Sequence, residues 1–264
     1  PPRSLADPTS VAAALEALKG AENPLVIVGK GMAWSRAESE VRRFIEHTQL
    51  PFLATPMGKG VVADDHPLSV GGARSLALQK ADAILLLGAR LNWILHFGLP
   101  PRFNPDVKML QVDVAADQMS HNVRAHAAMV GDGKAVMQQF LQLLDQQPWS
   151  YAPDSAFRSA IAEKIAENEA AVAPQVNQDE GPVNYYRAFR DIKAFLRPDD
   201  IIIGEGANTM DSGRTQMANV HPRHRLDAGS YGTMGIGLGF AVAAAVTNPG
   251  KRVVAVQGDS AFGF

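Results

Sequence analysis

The sequence contains no cysteine. That excludes a disulfide framework, thiolate metal sites and cysteine nucleophiles, and it suits a reducing compartment. It also lacks a charge excess. The formal net charge is -2, so no nucleic-acid partner and no membrane surface is expected. Phosphate ligands are not excluded, because local groups bind them. No apolar run reaches membrane-spanning length; residues 235–246 are too few and too Gly-rich. The opening Pro1-Pro2-Arg3-Ser4 has no signal-peptide layout. Internal repeats and low-complexity tracts are absent. What remains is 46% hydrophobic and 20% charged, the balance of a packed globular protein. The length of 264 residues allows one large or two ordinary domains. The 23 Gly and 17 Pro suit many short βα turns.

Apolar strand patterns alternate with helical ones along the first part of the chain. Strands are expected at residues 25–29, 51–55, 83–88, 108–113 and 128–131, with helices at 36–49 and 134–144. Charge-free strands separated by helices call for a parallel sheet covered on both faces. Residues 147–182 read as a linker: polar, Ala-rich and without a strong apolar stripe. A second α/β pattern starts at 183, with helices at 186–196, from 207 onward and at 235–246, and strands at 201–204 and 252–256. The expected organisation is therefore two consecutive parallel-sheet α/β domains. Residues 1–146 form a Rossmann-like nucleotide-binding domain and 183–264 an incomplete second domain. So few strands make a poor parallel sheet alone, and the chain reads as a piece of an enzyme.

Candidate chemistry gathers where strands end, because open α/β sheets bind ligands outside the carboxyl ends of their strands. Gly29-Lys30-Gly31 reads either as a phosphate cradle with a point charge or as an ordinary tight turn. Arg90, Asp113 and Asp132 follow later strands, and the four side chains together describe a nucleotide-sized crevice. In the second half, Gly204-Glu205-Gly206-Ala207-Asn208 offers a carboxylate and an amide within one turn, and Asn208 also reads as a helix N-cap. The segment 229–239 holds five glycines in eleven residues. It reads either as a close-packed helix or as a backbone surface against a flat ring, supported by Met234. Gly258-Asp259-Ser260 follows a strand, and Asp259 is well placed to hold Mg²⁺ beside a diphosphate. His221 and His224 make a poor zinc site, since Pro222 and two arginines interrupt them. Arg214, Arg223 and Arg225 read as ion-pair or phosphate partners.

The sequence resembles thiamine-diphosphate-dependent enzymes, specifically 2-hydroxyacyl-CoA lyases and the related oxalyl-CoA decarboxylases. The likeness runs through nearly the whole chain. Its most specific stretches are Val28-Gly29-Lys30-Gly31, Pro56-Met57-Gly58-Lys59-Gly60, Gly88-Ala89-Arg90-Leu91-Asn92-Trp93, Glu205-Gly206-Ala207-Asn208-Thr209-Met210-Asp211 and Gly258-Asp259-Ser260-Ala261-Phe262-Gly263-Phe264. The resemblance implies a central domain followed by the start of a diphosphate-binding domain. It implies that Asn208, Gly232, Thr233, Met234, Ser260 and Ala261 meet thiamine diphosphate and that Asp259 ligates Mg²⁺. It assigns ADP to Lys30, Arg90, Asp113 and Asp132, and coenzyme A to Gly71, Gly72, Ala73, Arg74, Arg214 and Thr215. No catalytic residue falls in this segment; the glutamate that activates the cofactor belongs to an amino-terminal pyrimidine-binding domain.

Residues 92–102 and 222–229, and the run Gly232-Thr233-Met234, look more lyase-like than decarboxylase-like. The implied activity is cleavage of a 2-hydroxyacyl-CoA to an aldehyde or ketone and formyl-CoA, as in fatty-acid α-oxidation. The alternatives are oxalyl-CoA decarboxylation, or a nucleotide-binding piece inactive by itself. The resemblance also implies an acyl-CoA substrate, a homotetramer, and a cytoplasmic location, peroxisomal in a eukaryote.

Overall fold

The expected strands at 25–29, 83–88 and 201–204 become strands whose side chains are buried on both faces at once. The computed structural model describes residues 2–264. In chain order the elements are α1 (Pro8–Lys19), β1 (Pro24–Val28), α2 (Lys30–Trp34), α3 (Glu38–Thr48), β2 (Phe52–Ala54), α4 (Arg74–Lys80), β3 (Ala83–Leu87), β4 (Lys108–Asp113), β5 (Ala125–Val130), α5 (Gly133–Gln146), α6 (Ala156–Val176), α7 (Tyr185–Phe195), β6 (Ile201–Glu205), α8 (Ala207–Gln216), β7 (Arg225–Asp227), α9 (Gly237–Thr247), β8 (Val253–Gln257) and α10 (Asp259–Gly263).

The first sheet has the order β2-β1-β3-β4-β5, and every pair is parallel. Strand side chains alternate between its faces. Val26, Val28, Leu85 and Leu87 join one core with Phe44 and Phe140, while Leu25, Ile27, Ile84 and Leu86 join a second. α3 turns Val41, Phe44 and Ile45 inward, and Gln49 closes it with a left-handed φ of 56°. The chain crosses β1 to reach β3, so the switch point lies between those two strands.

The second sheet is β7-β6-β8, also parallel, with β6 central. The α/β architecture with two successive parallel sheets is the one expected. Three local expectations change. The span 147–182 is not all linker, because α6 occupies 21 residues of it. Only Phe157 and Ile161 of that helix are buried, against the first sheet's second core, so its apolar stripe was too short to read. Asn208 is not an N-cap: Gly206, at φ 99°, caps α8, and Asn208 lies in the first turn. The Gly-rich segment is split. Gly229, Gly232 and Gly235 have positive φ and form a turn, and the helix starts at Gly237.

The sheets meet along one seam. Asp64 and Asn219 exchange backbone and side-chain bonds of 3.1 and 2.7 Å. Arg223 reaches from the second unit to the Ala33 carbonyl (2.6 Å) and to Glu38 (2.9 Å). Gly60 packs against the His221 carbonyl so tightly that a Cβ there would overlap it.

Candidate functional site

The carboxyl ends of β6, β7 and β8 carry three loops to one edge of the second sheet. β7 and β8 flank β6, so the crevice of this sheet lies outside the end of β6. The first loop runs into α8, whose first turn carries Asn208, exposed. The second loop spans 228–236, and its residues 230–235 are all exposed, Tyr231 at 97% and Met234 at 40%. A Cβ added at Gly232 meets nothing within 4 Å. That glycine therefore satisfies its φ of 64° and leaves open backbone beside Thr233 and Met234. The third loop carries Asp259 and Ser260, both exposed, and Ala261, buried. Its Gly258 approaches Gly206 closely: the Gly258 N–H donates to the Glu205 carbonyl at 3.1 Å, and a Cβ on Gly206 would stand 3.2 Å from the Gly258 nitrogen.

These groups fit a diphosphate and a divalent cation. Asp259 carries hard carboxylate oxygens open to solvent. No cluster of three or more His, Cys, Asp or Glu able to hold a metal occurs among the described residues.

The glycine-rich loop is gripped from the first unit. Asn92 Nδ2 donates to Ser230 Oγ at 2.9 Å, and the Trp93 indole N–H donates to the Ser230 carbonyl at 2.7 Å. Beside this contact lies a cationic group. Arg74 donates to the Ile94 carbonyl at 2.6 Å and has its Nη1 3.4 Å from His96 Nε2. Burial, then the charges of Arg102 and Arg214, push the Arg74 pKa down. Burial, then Arg74 and Arg102, likewise keep His96 below the ordinary imidazole value. A neutral His96 accepts from Arg74 rather than repelling it. His96 and Phe97 sit at φ 49° and 56°, a strained pair for residues with side chains. Arg214 is tied to Asp227 (3.3 Å) and Asp211 (3.1 Å). Gly71, Gly72 and Ala73 lead into Arg74 through one short helical turn, and a Cβ on Gly72 would press on Ile165 of α6 at 3.2 Å. Thr215 is exposed and donates to the Ser212 carbonyl. The structure thus gathers cations at the seam next to the glycine-rich loop. Sequence reading missed Arg102, His96, Asn92 and Trp93 as members of this group.

The crevice of the first sheet looks different from the sequence reading. Gly29 and Gly31 are packed against Gly88: the Gly29 N–H donates to Leu87 O at 2.8 Å and the Gly31 N–H to Gly88 O at 3.0 Å. The tight-turn alternative describes these glycines. Lys30 and Arg90 are exposed and unpaired among the described residues. Asp113 accepts from its own Ala115 N–H at 3.0 Å. Asp132 caps α5 through the Lys134 and Ala135 amides and pairs with Arg3 at 2.7 Å. Its carboxylate is therefore already occupied. Two of the arginines read as ion-pair partners pair closely, Arg223 with Glu38 and Arg214 with Asp227; Arg225 is buried 3.8 Å from Asp227 and its guanidinium has no hydrogen-bond partner.

Residues 11–140 match the thiamine pyrophosphate enzyme central domain, and residues 206–264 match the C-terminal TPP binding domain of the same enzymes. The chain belongs to the thiamine pyrophosphate enzyme family. Across its full length it is 53% identical to 2-hydroxyacyl-CoA lyase 1 of Mus musculus and 51% identical to that of Homo sapiens. It is 40% identical to oxalyl-CoA decarboxylase of Escherichia coli (strain K12), again over the full chain. In each case it spans 46% of the relative's length. No helix of the described residues is long and apolar enough to cross a membrane.

Proposed function

We propose that this chain serves a carbon–carbon lyase that cleaves a 2-hydroxyacyl-CoA to an aldehyde or ketone and formyl-CoA. The observation that carries the reading is the cationic seam of Arg74, Arg102 and Arg214 beside the open loop at Gly232-Thr233-Met234. A phosphate-bearing thioester on those cations would reach a cofactor held by that loop. Identities that reach 53% to lyases, against 40% to the decarboxylase, support the lyase over oxalyl-CoA decarboxylation.

Bound thiamine diphosphate supplies the carbon nucleophile and the electron sink for this chemistry. The chain's residues bind and orient. Asn208 and the Gly232–Met234 backbone would meet the cofactor, with Met234 as a soft apolar support. Asp259 would hold Mg²⁺ against the diphosphate, and Ser260 and Ala261 would approach it. Arg74, Arg214 and Thr215, with the Gly71-Gly72-Ala73 turn, would receive coenzyme A. ADP would contact Lys30, Arg90 and Asp113; the occupied Asp132 argues against a contact there. The reading includes a domain division at 1–146 and 183–264, a homotetramer, and a cytoplasmic or, in a eukaryote, peroxisomal location. The test supplies full-length protein, thiamine diphosphate and Mg²⁺ with either 2-hydroxyacyl-CoA or oxalyl-CoA. Aldehyde or ketone together with formyl-CoA is expected from the first. Release of CO₂ from the second, with no cleavage of the first, would replace the lyase by the decarboxylase.

A further inference from the structure

β6 ends on a carboxylate in a place where carboxylates are costly. Glu205 is 0% exposed, and a buried charge persists only when polar partners replace water. Three donors do so. The Ile236 N–H donates to Oε1 at 2.9 Å, the Gly237 N–H to Oε2 at 2.8 Å, and Gln257 Nε2 to Oε2 at 2.6 Å. The two amides are the unpaired amino end of α9, an 11-residue helix, so the carboxylate meets both free donors and the positive end of the helix dipole. Gln257 is the cross-strand neighbour of Glu205 and ends β8. Gly237 makes the approach possible, because a Cβ there would overlap both Glu205 Oε2 and Gln257 Nε2.

One side chain therefore ties together the ends of all three loops of the second sheet's crevice. It fixes where 228–236 enters α9, and through Gln257 it fixes where Gly258-Asp259 leaves β8. We propose that Glu205 is a positioning residue for the cofactor. It sets the distance between the Gly232-Thr233-Met234 backbone and Asp259 without touching the ligand, since no part of its carboxylate reaches solvent. The inference rests on the reading that these loops carry thiamine diphosphate.

The test uses the full-length protein with Glu205→Gln and, separately, Gly237→Ala. The first exchanges an acceptor for a donor that faces an amide N–H. The second displaces the carboxylate without changing its charge, and it decides the matter if the first variant does not fold. Losing a charge-assisted bond at each amide should speed hydrogen exchange at Ile236 and Gly237 by roughly tenfold or more. Thiamine diphosphate affinity should fall by a similar factor. At saturating cofactor, its near-ultraviolet circular dichroism band should differ from wild type, a change a purely structural cap would not produce. The double variant should lose little more than either single one. Unchanged exchange at both amides overturns the cap. Faster exchange with wild-type affinity and an unaltered band overturns the positioning role alone. A wild-type protein that binds no thiamine diphosphate overturns the proposed function and this inference with it.

Discussion

Replacing Gly29 by Ala should destabilise the first sheet before it affects any ligand. The new Cβ would lie 2.6 Å from Ala89 Cβ and 2.6 Å from the Gly88 carbonyl carbon, and would overlap the Gly88 oxygen. Carbon atoms prefer about 3.5–4.0 Å, so β1 and β3 must separate by roughly 1 Å at their carboxyl ends. That shift breaks the 2.8 Å bond from Gly29 to Leu87 and the 3.0 Å bond from Gly31 to Gly88. Overpacking costs about 1–3 kcal/mol, and two net backbone bonds add about 1 kcal/mol each. The expected loss is about 3–5 kcal/mol, or roughly 10–20 °C in melting temperature for a domain of this size. Gly232→Ala provides the contrast. Its Cβ meets nothing within 4 Å, so only the backbone strain at φ 64° is felt, about 1–2 kcal/mol. Denaturant unfolding of both variants, followed by far-ultraviolet circular dichroism, measures the difference. A Gly29→Ala protein within about 1 kcal/mol of wild type, with ADP binding lost, would mean that this turn is a phosphate cradle and not a packing joint.

Asp200 accepts from Arg252 at 2.8 and 2.6 Å and from the Arg197 N–H at 2.7 Å, and Arg252 first of all holds its carboxyl below the usual value. Because the folded value is the depressed one, this stability is present above the unfolded pKa, near 3.8, and is lost as pH falls through the folded value. Asp200→Asn should cost about 2–3 kcal/mol at neutral pH, and the gap from wild type should close in acid; a constant gap across a pH series of unfolding curves would refute the linkage. Asp259→Ala should remove most thiamine diphosphate affinity in Mg²⁺ by calorimetry while the first sheet melts as wild type, and unchanged affinity would exclude Asp259 as a ligand. Lys30→Ala with Arg90→Ala should weaken ADP binding by about 1–3 kcal/mol per bond lost, less so at high salt. Asp132→Ala should instead lower stability by about 0.5–2 kcal/mol as a lost cap and leave ADP affinity alone, which one titration series and one melt distinguish.

The sequence discloses what depends on neighbours in the chain. β4 falls at Lys108–Asp113, the expected residues, because an apolar run between polar turns needs only local pattern to be read. β7 was not expected: three residues, Arg225-Leu226-Asp227, with two charges, become a strand only because β6 lies alongside and the seam buries both charges. Asp132 carried a readable signal that was given another meaning. An Asp directly before a helical pattern also reads as an N-cap, and Asp132 caps α5. The glycines at 29, 31 and 88 could not be told from a cradle without knowing that β1 and β3 are neighbours across the switch point.

The contacts that organise the site are the least legible, because they join residues far apart in sequence. Glu205 caps amides 31 and 32 residues later. Trp93 and Asn92 hold Ser230 across 137 and 138 residues. Together they fix the loop 228–236 at both ends, one grip coming from each sheet. The first sheet therefore does more than stand beside the second: its segment at 92–97 carries both the indole that holds the glycine-rich loop and the carbonyl that orients Arg74. A displacement of that segment moves the cationic seam and the open loop as one. The strained φ values of His96 and Phe97 follow both groups directly in the chain. Strain of that kind persists only where surrounding contacts overdetermine it; here the Phe97 N–H donates to the Asn92 carbonyl at 2.9 Å, the Leu99 N–H donates to the His96 carbonyl at 3.0 Å, and Arg74 stands 3.4 Å from His96 Nε2.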